Sequence, residues 1–384
     1  MTTSPAPHGA PISIPQLLAR NSATMGAKPA YREKEFGIWQ TWTWAEAEAE
    51  IDALAMGMIA IGLNVGDSVA IIGRNRPALY WSMVAAQKCG AIPVPLYQDA
   101  AAEEMAYVLD HCGARFVICG DQEQVDKVLE VQETVKGIDQ ILYLDKRGMR
   151  KYDHTAMNAI ADIVAEGRAG AQRLEPEMRK REAAITYDTT CVMLYTSGTT
   201  GRSKGAMLSQ RNLLSNAAAL CELWQFTDRD VLLHALPIFH THGLFVATNI
   251  TLLAGGGMVF LPKLDIDALI EHMPRSTAMM GVPTFYTRLL DDPRFDRALT
   301  QHMRLFVSGS APLLADTHHQ FEERTGHRIL ERYGMTETNM NTSNPYDGDR
   351  RPGTVGRALP GVEVKVCDPS GRELPRGEIG VLEV

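Results

Sequence analysis

None of the six cysteines, Cys89, Cys112, Cys119, Cys191, Cys221 and Cys367, forms a C-x-x-C pair. They are scattered through mostly apolar stretches. In so long a chain this predicts buried free thiols rather than a disulfide framework. The eleven histidines show no zinc spacing, and only His240 with His242 and His318 with His319 stand close together. No run of about 18 apolar residues occurs, and mean hydropathy is -0.14, so no transmembrane segment is expected. There is no basic excess either. Lys and Arg number 38 against 46 Asp and Glu, a net charge of -8, which argues against a nucleic-acid partner. Met1 to Ser13 lacks the basic and apolar regions of a secretory signal and reads as a flexible tail on a cytoplasmic protein. No repeat of about 20–50 residues is visible. What remains is ordinary for a soluble globular enzyme: 384 residues, 45% hydrophobic and 22% charged, enough for one large α/β domain or two smaller ones.

The first 160 residues alternate strand and helix patterns. Thr43 with Glu46 forms a capping box opening a helix to Leu63, whose Ile51, Leu54, Ala55, Met58 and Ile59 follow a 3.6-residue period. Strands are predicted at Ser68–Ile72, Ile92–Pro95, Arg115–Cys119 and Gln140–Leu144. Helices lie between them, one opened by Pro77 and closed at Gly90. This βαβ series implies a parallel sheet with helices on both faces. Residues 145–185, rich in charge and alanine, read as a loosely packed helical connection on the surface. A second series begins with strand Thr190–Tyr195 and ends with strand Ile329–Tyr333, and after Pro352 short strands and turns suggest a small β-subdomain. The expected organisation is therefore an α/β subdomain over 1–185, a second over 186–350, and the start of a small β-subdomain over 351–384.

The chemistry concentrates in Thr196-Ser-Gly-Thr-Thr-Gly-Arg-Ser-Lys-Gly205, where eight of ten residues are Gly, Ser or Thr. Small residues let backbone N–H groups approach an anion, hydroxyls add donors, and Arg202 and Lys204 add positive charge. The segment follows an apolar strand, which argues against a linker and for a triphosphate-binding loop. It is not G-x-x-x-x-G-K-[ST]. Gly201 stands three residues before Lys204, and neither Ser nor Thr follows the lysine, so a standard P-loop NTPase is disfavoured.

This loop resembles the signature of the acyl-adenylate-forming superfamily. Three further motifs follow in the superfamily's order: Pro237-Ile-Phe-His240-Thr-His-Gly243, Ser308-Gly-Ser-Ala-Pro312 and Tyr333-Gly-Met-Thr-Glu337-Thr338. The resemblance covers nearly the whole chain. It implies a large adenylate-forming N-terminal domain that uses ATP, Mg²⁺ and coenzyme A to activate a carboxylic acid. Thr196, Ser197, Gly198, Thr199, Thr200, Gly201 and Lys204 would hold the β- and γ-phosphates. Gly309, Ser310 and Ala311 would wall the adenine opposite Tyr333, within the nucleotide-side segment Glu331, Arg332, Tyr333, Gly334, Met335 and Thr336. Thr336 would contact the α-phosphate, and Glu337 with Thr199 would serve the magnesium ion. His240 would stand by the acyl carboxylate. The catalytic group implied is thus Lys204, His240, Thr336 and Glu337.

The second half is similar to malonyl-CoA synthetases over Ala235–Phe245, Met280–Leu290 and Glu331–Tyr346. A second carboxylate on the substrate needs a cation, and guanidinium holds carboxylate bidentately. Arg288 is the candidate, with Thr241, Ser308 and Met335 also lining the pocket. The first half resembles long-chain acyl-CoA synthetases instead, at Tyr31–Trp44, Tyr97–Tyr107 and Asp121–Lys127. That suggests a chimera joined near Ala183–Leu208. A small dicarboxylate such as malonate is the expected acid. A long- or medium-chain fatty acid and an inactive ATP-binding scaffold are the alternatives. The resemblance also implies a C-terminal domain beyond Val384, carrying the catalytic lysine and a ribose-binding aspartate, without which activity would be weak.

Overall fold

The computed structural model describes residues 12–196 and 202–384. Most of the N-terminal tail, and Ser197, Gly198, Thr199, Thr200 and Gly201 of the expected phosphate loop, lie outside them. The α/β class is as the alternation implies. A five-stranded, fully parallel sheet has the spatial order Ile92–Leu96, Ser68–Ile72, Ala114–Cys119, Gln140–Tyr143, Met157–Ala159. A nine-stranded sheet runs Arg357–Ala358, Asn339–Ser343, Leu330–Met335, Leu305–Ser308, Ala278–Gly281, Val231–His234, Gly257–Phe260, Pro29–Glu35, Ile38–Thr43. Its centre is parallel, and antiparallel strands close both edges. Two short hairpins, Thr190–Thr196 with Lys204–Ser209 and Lys365–Cys367 with Val381–Glu383, complete the strands.

The Thr43 capping box is present, with Glu46 Oε2 accepting from the Thr43 backbone N–H at 2.8 Å and the Thr43 hydroxyl accepting from Glu46 N. It starts helix Trp44–Ala60, which ends three residues before the expected Leu63. The hairpin Pro29–Glu35/Ile38–Thr43 was not foreseen. Its turn is Phe36-Gly37, with φ of 48° and 82°, the primed turn that matches strand twist. Phe at the first turn position hides the usual Asn-Gly signal. This hairpin lies early in the chain yet forms one edge of the nine-stranded sheet, joining it through Tyr31↔Met258.

The connection at 145–185 is tightly packed rather than loose. A Cβ on Gly57 would stand 2.1 Å from Ile163 O, and one on Gly167 would stand 1.9 Å from Ala53 O. Helix Ile160–Ala169 therefore lies directly on helix Trp44–Ala60. Leu174 and Met178 of helix Ala171–Ala183 are buried in the main apolar core. Lys88, with no exposed surface, joins that helix to helix Trp44–Ala60, meeting Glu182 of the first at 3.2 Å and Asp52 and Glu48 of the second at 2.6 and 3.7 Å. A core shared by the large sheet and these helices contrasts with a second cluster around the five-stranded sheet. All six thiols are free, and four of them are buried. Among the described residues no helix is long and apolar enough to cross a membrane.

Candidate active site

The parallel strands of the large sheet deliver their carboxyl ends to one cavity of about 400 Å³, the usual location of a ligand site in α/β sheets. Strand Val231–His234 leads into Leu236, Pro237 and His240, and strand Ala278–Gly281 leads into Val282. Ser310 follows strand Leu305–Ser308, and strand Leu330–Met335 supplies Arg332, Gly334 and Met335, with Thr336 just beyond. Met340, from the antiparallel strand Asn339–Ser343, closes the apolar side.

Two local devices shape the wall. Gly243 lets the π-helical turn His242–Ala247 sit on the preceding loop, because a Cβ there would meet Pro237 O at 2.1 Å. Ser310 adopts φ 68°, a left-handed conformation uncommon for a residue with a side chain, and its hydroxyl stands 3.3 Å from His242 Nδ1. The strain and the hydrogen bond together orient the imidazole. Across the cavity the Thr241 hydroxyl donates to Thr336 Oγ1 at 3.3 Å.

Other polar atoms of the cavity are unsatisfied. Arg332 is 3% exposed, and among the described residues its Nε and Nη2 have no hydrogen-bond partner, nor does His242 Nε2; Ser308, expected in this pocket, is not among the residues lining it. Burial pulls the Arg332 guanidinium down to about 9. Burial also holds His242 well below its ordinary value, with Arg332 adding repulsion, and lowers His240. Gly309 explains how a guanidinium fits here: a Cβ at that position would lie 2.4 Å from Arg332 Cζ. A buried cation without a counter-charge is costly, and such groups are normally paired. The cavity is therefore electrostatically incomplete, and a carboxylate is the ligand that would complete it.

The structure thus brings together His240, Thr241, Ser310, Arg332, Gly334, Met335 and Thr336, with Gly309 behind them. Other expected residues stand apart. Arg288 is exposed on helix Pro283–Leu290 and is not among the residues lining this cavity. Glu331, the neighbour of Arg332, faces the opposite way and accepts from Gly353 N at 3.2 Å. Tyr333 is half-buried, while Ala311 and Glu337 are exposed. Lys204, exposed at the start of its strand, pairs with Thr196 across the hairpin. Among the described residues no group of three His, Cys, Asp or Glu could hold a metal ion. The family resemblance implies a nucleotide-side role for Arg332, whereas the structure sets it in the wall of this cavity. The available signal was the pair Glu331-Arg332 inside an apolar strand, because alternation forces one of two adjacent charges inward.

Residues 18–384 match the family described as AMP-binding enzyme. A malonate–CoA ligase of Arabidopsis thaliana is 39% identical over 50% of this chain and 35% of its own length. The human mitochondrial malonate–CoA ligase ACSF3 is 33% identical over 78% of this chain and 51% of its own. The chain thus spans about a third to a half of the length of these curated relatives. Among solved structures, ATP-bound MatB from Rhodopseudomonas palustris superposes with a TM-score of 0.79 at 43% identity, covering 96% of this chain and 69% of that one.

Proposed function

The chain belongs to the AMP-binding enzyme family, and from that membership we propose that it is the acid-activating part of an acid–thiol ligase acting on a small dicarboxylic acid such as malonate. ATP and the acid would form an acyl-adenylate, which the thiol of coenzyme A then attacks. The observation that carries the reading is the unpaired, buried Arg332 guanidinium in the wall of a cavity shared with His240 and Thr336. An acid with one carboxylate would offer it to the phosphate and leave Arg332 uncompensated. A dicarboxylate presents one group to Arg332 and the other to the reacting side. A buried cation in the wall of the cavity also disfavours a long apolar acyl chain.

Neutral imidazoles at His240 and His242 can donate and accept without adding charge beside Arg332. Thr336, held by Thr241, would face the α-phosphate, and Lys204 with Arg202 would balance the outer phosphates. Catalysis on this reading is positioning and electrostatic stabilisation. Glu337, exposed beside Thr336, offers one carboxylate. With phosphate and water oxygens, that donor set suits Mg²⁺, which when bound would neutralise charge developing on the phosphates.

The test is pyrophosphate release with malonate, acetate and palmitate, in the parent and in Arg332→Leu and Arg288→Ala. Malonate should be preferred by at least about tenfold, and Arg332→Leu should abolish the preference. Equal or better turnover with palmitate, or malonate selectivity that survives Arg332→Leu, overturns the proposal. Loss of selectivity in Arg288→Ala alone would transfer the second carboxylate to that exposed arginine. Titration with ATP and magnesium that shows no binding would favour a scaffold.

A further inference from the structure

The cations expected to meet the outer phosphates do not belong to the sheet that builds the acyl cavity. Strand Thr190–Thr196 lies against strand Ile92–Leu96 of the five-stranded sheet, and Met193 and Tyr195 pack on that sheet's own apolar cluster. At the loop end of the hairpin a single helix, Ala102–His111, holds both arms, reaching Tyr195 of the first strand and Arg202 and Ser203 just before the second. The Tyr107 hydroxyl donates to Ser203 O at 3.0 Å. The Arg202 guanidinium sits over the Tyr107 ring, 5.1 Å from its centroid. One turn further on, His111 Nδ1 and the Tyr195 hydroxyl share a hydrogen bond of 2.7 Å, their rings edge to face. Burial raises the Tyr195 hydroxyl above its ordinary value, so the phenol keeps its proton for this bond.

We propose that helix Ala102–His111 is the mount of this hairpin, and that Tyr107 and His111 are positioning residues that fix where Arg202 and Lys204 stand relative to the acyl cavity. Tyr107 and His111 are four residues apart and so share one face of the helix. Tyr107 acts on the segment Arg202-Ser203 that leads into strand Lys204–Ser209, and His111 on the strand that precedes the loop. Their joint effect is to lock the hairpin to the five-stranded sheet. The acid, by contrast, is held by the nine-stranded sheet through Arg332, His240 and Thr336. The bond to be broken then lies between groups presented by two separate sheets, and the mount sets the distance across that junction. One hydrogen bond and one partly exposed cation–π contact together correspond to about a tenfold effect on the population of the correctly placed hairpin. The role assigned to Arg202 and Lys204 rests on the proposed ATP-dependent function, whereas the mechanical claim does not.

The experiment treats the two separately. Trypsin cleaves after Arg202 and Lys204, so cleavage there in the nucleotide-free chain reports hairpin placement without reference to function. Tyr107→Leu and His111→Leu should each speed this cleavage about tenfold at unchanged Tm. Tyr107→Phe, which keeps the ring under Arg202, should fall between, and His111→Gln, which keeps an acceptor, should restore most of the protection. In titrations, Tyr107→Leu should raise the Kd for ATP with magnesium about tenfold and leave the Kd for malonate unchanged. Unchanged cleavage in both leucine variants overturns the mount. Faster cleavage with unchanged ATP affinity, or equal loss of ATP and malonate affinity, overturns the positioning role. If the parent binds no ATP while cleavage still responds, the mount stands and the ATP-dependent reading falls.

Discussion

Arg332 has two opposing consequences. In the free protein it is a buried cation without a partner, and replacing such a group by an apolar side chain of similar volume is neutral or stabilising by about 1–4 kcal/mol. In the complex it is the expected seat of a carboxylate. Arg332→Leu should therefore raise or preserve Tm while removing malonate binding, measurable by thermal melts and calorimetry on the same sample. A variant that loses both stability and binding would mark Arg332 as a structural strut. Gly309 offers a test that leaves the arginine in place. Adding one methyl puts a carbon 2.4 Å from Arg332 Cζ, so Gly309→Ala must displace the guanidinium. Malonate affinity should fall by about ten- to a hundredfold for a misplaced ion pair, with a smaller effect on acetate. Equal losses for both acids would place the damage in the cavity as a whole.

At the scale of elements, chain order and periodicity located most of the βα units, because buried parallel strands read as short apolar runs between capped helices. Ser68–Ile72 stands where the pattern puts it, and Ile92–Leu96, Ala114–Cys119 and Gln140–Tyr143 each differ from the expected strand by one residue at one end. Elements defined by distant partners were not legible. Lys204–Ser209 is short, partly exposed and carries no alternation, and it becomes a strand only by pairing with Thr190–Thr196. Asn339–Ser343 is wholly buried but polar, and the helix Gln210–Leu223 meets it through Asn216 Nδ2, which donates to Met340 O, and Asn212 O, which accepts from Asn339 Nδ2. The same limit applies in the site: the motifs pointed to His240, Ser310 and Thr336, but which way Arg332 faces depends on the register of its strand. Helix Ala171–Ala183 looked like surface because its charges are many, yet those charges are its attachment. Asp52 and Glu182 are shared between Lys88 and Arg179. Lys88→Met should cost about 3 kcal/mol, the lower end for breaking a buried ion pair, since Arg179 keeps partial compensation. Urea unfolding gives that value, and faster amide exchange confined to residues 171–183 and 44–60 would show where it acts. An effect below about 1 kcal/mol would mean the helix is held by Leu174 and Met178 alone.

For the whole molecule the decisive titratable groups are histidines buried without charge. His234 is 1% exposed, both ring nitrogens lack partners among the described residues, and its ring meets Phe260 edge to face at 5.0 Å. Burial carries it down to about 3, and burial lowers His240, His242, His272 and His327 as well. The unfolded chain protonates such a group near its ordinary value of about 6.5. In the folded protein His234 remains neutral until about 3. Between those values the unfolded state binds more protons, so stability falls as pH falls. The contribution is fully present above about 6.5 and is lost progressively toward the folded value. Each pH unit in that window corresponds to about 1.4 kcal/mol for a completely buried group. From pH 7 to about pH 5, His234 alone should lower unfolding free energy by about 2 kcal/mol. Unperturbed carboxylates titrate below this range, so the histidines can be read without them. His234→Phe keeps an aromatic ring in the apolar site and removes one titrating nitrogen pair. Its urea midpoint should depend less steeply on pH between 7 and 5 than that of the parent, while matching or exceeding it at pH 5. The same acid loss should be smaller when malonate is present, because a carboxylate beside Arg332 removes the repulsion that helps keep His242 neutral. Parallel pH slopes for parent and variant would locate the acid sensitivity in the remaining histidines instead.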